Sequence, residues 1–122
     1  MKVQNKDRIK VWFDFIISKL DINQHIQKQL LKTSIDILNM VDVSKGNPRT
    51  NAAAIIYIST LINDFSIRQI DIAKASRHSI DVYKDTQCGS VRKNYQQIWR
   101  DNDGKISAYI ISLGKKDRKN ID

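Results

Sequence analysis

The chain contains no glutamate: all 13 of its acidic residues are aspartate. That absence removes Glu-based general acids, the HExxH metal site and the closing Glu of a calcium loop together. A single cysteine, Cys88, excludes an internal disulfide and a Cys-rich zinc site, and fits a reducing, intracellular location. No apolar run approaches the ~18 residues of a membrane span, so no membrane partner is expected. The start Met1-Lys2-Val3-Gln4-Asn5 lacks a signal-peptide core. Strand-like alternation of any length is missing as well.

What is present is a single domain's worth of chain. Its 122 residues, 41% of them hydrophobic, suffice for a self-sufficient core. The formal charge of +8 implies affinity for something anionic. Lys2, Lys6, Arg8 and Lys10 lead into the first helix, and Lys115, Lys116, Arg118 and Lys119 end the chain. Such runs are solvated tails or phosphate contacts without sequence specificity.

Hydrophobic spacing organises the rest. Ile9, Trp12, Phe13, Ile16, Ile17 and Leu20 recur at i, i+3, i+4 and i+7, which predicts a helix over 7–20. Ile26, Leu30, Leu31, Ile35, Leu38 and Val41 predict a second over 22–41. The segment 49–63 is apolar on nearly every side, as a helix buried within a core must be. The small triplet Ala52, Ala53 and Ala54 lets neighbours approach its start. Gly46-Asn47-Pro48 precedes it as a turn, with Pro48 suited to a first helical position. Shorter helices follow over 67–75 and 90–99, the latter with Val91, Tyr95, Ile98 and Trp99 inward. Asp101-Asn102-Asp103-Gly104 reads as a break. A last amphipathic helix carries Ile106, Tyr109, Ile110 and Leu113 on one face and stops at Gly114. The class is all-α.

Three segments taken in order carry a resemblance. Gly46-Asn47-Pro48 runs into Ala52-Ala53-Ala54-Ile55-Ile56-Tyr57; then comes Gln69-Ile70-Asp71-Ile72-Ala73, and then Ser90-Val91-Arg92-Lys93-Asn94-Tyr95. This resembles one cyclin-like repeat of the transcription factor B family, the archaeal factor B and the eukaryotic general factor IIB. That family writes a Gly-x-x-Pro turn, an Ala-rich buried helix ending in Tyr, a Gln-x-x-Ile-Ala helix and a Thr-Val-Arg-x-x-Tyr helix. The match covers 45–99 motif by motif and 5–44 by pattern. It implies a five-helix bundle with a buried central third helix over 1–100, and a helix-turn-helix-like segment at 67–99. The extra C-terminal helix and basic tail, 101–122, lie outside one repeat. The family's usual second repeat and zinc ribbon have no counterpart here, so a fragment or a compact single-repeat paralogue is expected. Implied partners are promoter DNA, the TATA-binding protein and RNA polymerase, at a DNA-associated intracellular location.

The candidate site follows from the second helix of that pair, whose N-terminal residues would meet base edges in a major groove. Ser90 can cap the helix or bond a phosphate. Arg92 can bond guanine twice, Asn94 can do so to adenine, and Lys93 would meet the backbone. The family's Thr-Val-Arg segment, carried over, points to Ser90, Val91 and Arg92. Lys45 and Arg49 flank the start of the third helix as candidate phosphate contacts. One departure stands out: about eight extra residues, near Asp81 to Cys88, separate the two helices, and most of Asp81 to Gln87 is expected to be an exposed loop. An alternative alignment starts the recognition helix at Ser79, with Val82, Tyr83 and Lys84 on it. The later start matches Val-Arg-Lys-Asn-Tyr better, and Gly89 marks a break before it.

Signals for catalysis are lacking. His25 and His78 are far apart with no paired acid nearby, and Cys88 has no base assigned to it. No cofactor or metal is expected, and no enzymatic activity. The competing reading is a cyclin-fold module that binds an acidic protein through a groove between helices.

Overall fold

The computed structural model describes residues 5–43, 46–76 and 88–115. Lys45, His78, Ser79 and the expected loop at 81–87 lie outside the described residues, as do Lys2, Lys116, Arg118 and Lys119. Six helices occur in order: α1 (Asn5–Lys19), α2 (Gln24–Met40), α3 (Pro48–Ile62), α4 (Gln69–Ala75), α5 (Cys88–Asp101) and α6 (Asp103–Ser112). No strand occurs among the described residues. The protein is all-α.

α3 is the central element and touches α1, α2, α4 and α5. Eleven of its fifteen residues are buried, including Ala52, Ala53, Ala54, Ile55, Ile56 and Ile58 at 0% exposure. Leu61 is half-buried, and so are Thr50 and Tyr57. These three recur at i, i+7 and i+11, which puts them on one narrow strip of the helix. Pro48, in the first turn, is half-buried as well, and the other eleven residues are buried.

Local chemistry explains where α3 starts and stops. Gly46 takes φ +97°, a left-handed conformation that costs glycine little. Asn47 then caps the helix: its Oδ1 accepts the backbone N–H groups of Arg49 at 2.8 Å and Thr50 at 3.3 Å. Pro48 opens the first turn. At the far end Asp64 adopts φ 57°, its N–H reaches the Leu61 carbonyl, and Phe65 N–H reaches the Thr60 carbonyl. That pair of bonds is a Schellman closure. Asn47→Ala is expected to cost about 1 kcal/mol, because two N–H groups at the start of the central helix lose their acceptor. A thermal midpoint equal to that of the wild type would contradict the cap.

Two hydroxyls make the α2–α3 contact close. Ser34 and Ser59, both 0% exposed, sit 3.0 Å apart, and the Ser59 hydroxyl is also 3.1 Å from the Ile55 carbonyl. Asn63 Nδ2 adds a bond to Thr33 Oγ1 at 3.0 Å. The buried polar groups along this seam therefore have partners, as burial demands.

The chain turns from α5 into α6 at Asn102 alone, so the break is shorter than Asp101–Gly104. Asn102 Nδ2 donates to the Ile98 carbonyl at 3.0 Å and closes α5. Gly104 lies inside α6, with nothing within 4 Å of where a Cβ would stand, so it faces open space. Gly114 does end the helix: φ is +75°, and the Gly114 and Lys115 N–H groups bond the Ile111 and Ile110 carbonyls.

α6 folds back on the bundle. Ile106 and Ile110 are buried, and the Tyr109 hydroxyl donates to Asp36 Oδ2 on α2 at 2.9 Å. Desolvation first, and then the Asp36 carboxylate, push the Tyr109 pKa up to about 12. The folded protein thus holds this proton more tightly than the unfolded chain, where tyrosine ionises near ~10. The resulting stability is intact below about pH 10 and is lost as pH rises through about 12. Tyr109→Phe should cost about 1 kcal/mol at neutral pH. It should also flatten that alkaline loss, read as urea midpoints across the same pH window. Parallel curves for the two proteins would refute the link.

Candidate nucleic-acid interface

α5 divides its residues cleanly between two sides. Val91, Tyr95, Ile98 and Trp99 are buried, as their spacing predicted. Tyr95 meets Tyr57 of α3 edge-on, with ring centroids 4.8 Å apart. This anchors the middle of α5 to the central helix. α4 packs beside α5 and buries Ile72, Ala73 and Ala75. Its first turn is closed by Arg68 and Asp71, whose side chains meet at 3.0 and 3.1 Å. The Arg68 guanidinium holds the Asp71 carboxyl below the usual carboxylate range.

The opposite side of α5 is cationic. Arg92, Lys93 and Arg100 are exposed, and Gln96 lies half-buried between them. Arg92, Gln96 and Arg100 recur at i, i+4 and i+8, so they form one row along the helix. No acidic residue enters α5 before Asp101. Gln96 and Arg100 extend this face beyond the expected candidates, which end at Asn94. The four-residue spacing from Arg92 was the signal that would have found them.

Several expected contacts have other work. Val91 is at 0% exposure, so it belongs to the core and cannot reach a ligand. Arg49 is also buried, and its guanidinium lies 5.6 Å from the centre of the Trp12 ring on α1. That stacking corrects its reading as a phosphate contact, and Asn47 already occupies the N–H groups a phosphate would use. Asn94 points along the edge of α5, where its Nδ2 donates to Asn51 Oδ1 at 2.9 Å. α5 starts at Cys88, so Ser90 stands inside the first turn and does not precede it as a cap. Gly89, read as a break, is within the same turn. Of the expected residues whose side chains are described, Arg92 and Lys93 are left on the outward face.

Asn94 and its neighbours form one wall of a cleft. Asp42, Val43, Asn51, Asn94, Gln97 and Asp101 line about 450 Å³ between the α2–α3 turn and α5. Gln97 Nε2 donates to Asp101 Oδ2 at 2.8 Å, so the one carboxylate of α5's last turn is turned toward that flank. A second hollow of about 600 Å³ runs between the end of α1 and α4, floored by Leu20, Ile22, Ile67 and Ala75.

The described residues hold no group of three His, Cys, Asp or Glu side chains close enough for an ion. His25 is exposed on α2. Among the same residues no helix is long and apolar enough to cross a membrane.

No protein-family model, curated protein or solved structure matches this chain.

Proposed function

We propose that this protein binds double-stranded DNA through the outward face of α5, without catalysis. One observation carries the reading. α5 buries its apolar side against α3 and α4 and presents Arg92, Lys93, Gln96 and Arg100 outward, with no carboxylate among them. Arg and Gln donate paired bonds to base edges, and Lys meets phosphate as a point charge. The pairing of α4 with α5 and the net charge of +8 support the same assignment. By the resemblance, the bound site is promoter DNA, and the TATA-binding protein and RNA polymerase are the protein partners.

A mobility shift on promoter duplexes, with and without TATA-binding protein and at several salt concentrations, tests this. Binding should weaken steeply with salt, since each neutralised phosphate releases counterions. Affinity independent of salt would overturn the reading. The hollow between α1 and α4 favours a second one, a protein-interaction module. Its apolar residues are rimmed by two cations, Lys19 and Lys74, and two carboxylates, Asp21 and Asp71, a mixed surface of the kind a protein segment meets. Binding to an acidic helical peptide but to no duplex would select it.

A further inference from the structure

Asn51 is out of character for its place. It stands on the central helix among Ala52, Ala53, Ala54 and Ile55, and it is 5% exposed. Burying an amide there costs free energy unless its bonds are replaced. The replacement is specific: Asn51 Oδ1 accepts the amide proton of Asn94 at 2.9 Å, across the α3–α5 contact. The turn before α3 backs the same side chain. A Cβ added to Gly46 would come within 3.2 Å of Asn51 Nδ2, so the backbone approaches the amide closely.

Apolar contacts between helices let one roll over the other as side chains change rotamer. A hydrogen bond does not, because it weakens steeply away from a straight alignment. With side chains, a helix has a radius of about 5–6 Å, so a roll of about 20° carries a tip about 2 Å. Reading a base edge tolerates roughly 0.5 Å. The rotational setting of α5 therefore decides whether Arg92 can make a paired bond.

We propose that Asn51 and Asn94 act as a latch that sets the rotation of α5 and so governs discrimination between DNA sequences. Asn94 is then a positioning residue acting through Arg92, and Asn51 is its fixed partner. The inference rests on the DNA-binding reading. It assigns no base contact to Asn94.

The test compares wild type, Asn51→Ala, Asn94→Ala, the double variant and Arg92→Ala on a preferred and a scrambled duplex. Circular dichroism confirms that each is folded. The latch predicts that either Asn variant lowers the ratio of the two affinities about tenfold, with the double variant no worse than either single. The salt slope stays at the wild-type value, since no phosphate contact is removed. A loss with Asn94→Ala alone would mean that Asn94 reads a base itself and would overturn the latch. Full discrimination in both Asn variants, with Arg92→Ala defective, would also overturn it while leaving the DNA reading intact. Absence of discrimination in the wild type and in Arg92→Ala alike would remove that reading and the latch with it.

Discussion

Replacing Ile58 by alanine should cost about 2–5 kcal/mol of folding stability, the largest single effect expected from this chain. Ile58 is at 0% exposure on the one helix that touches α1, α2, α4 and α5. Truncation removes buried apolar atoms from the central helix, and neighbours held by their own helices cannot fully collapse into the space. The lost transfer energy and the cavity therefore add. Leu61 provides the internal contrast. It lies on the same helix, but half-buried on the Thr50–Tyr57 strip, so Leu61→Ala should cost well under half as much. Urea midpoints with unchanged slopes measure both. Equal costs would mean that α3 is not the centre of the core.

Arg92→Ala should lower affinity for a preferred duplex by about 1–3 kcal/mol and flatten discrimination between sequences, because a paired guanine contact is lost. Lys93→Ala should instead weaken all duplexes alike and reduce the salt slope by roughly one counterion. Both side chains are exposed, so neither change should move the thermal midpoint much. That separation makes the pair diagnostic. Loss of affinity with loss of stability would report a damaged helix, whereas loss of affinity alone reports a contact. Identical binding by wild type and Arg92→Ala across several duplexes would end the α5 assignment and favour the interaction module.

How much of this was legible in the chain differs from element to element. The buried face of α5 followed from spacing alone, because Val91, Tyr95, Ile98 and Trp99 recur at the helical period. The start of α3 was equally plain, since Gly46, Asn47 and Pro48 each fit a single local role. The start of α5 was not. Gly89 reads as a breaker by propensity, yet it sits within the first turn of a helix held by tertiary packing, which overrides propensity. Gly104 was misread for the same reason.

The candidate site shows the limit most clearly. Arg49 and Asn94 are residue types that meet phosphates and bases, and nothing local distinguishes them from Arg92. Trp12 lies 37 residues before Arg49, and Asn51 lies 43 before Asn94. Those partners compete for the same donors, and only the assembled bundle brings them within reach. By itself the sequence determined the helices, their buried faces, the net charge and the absence of Glu-based chemistry, because periodicity and composition act over a few residues. Which polar side chains remain outward was decided by tertiary structure, because a donor's fate depends on what the fold places beside it.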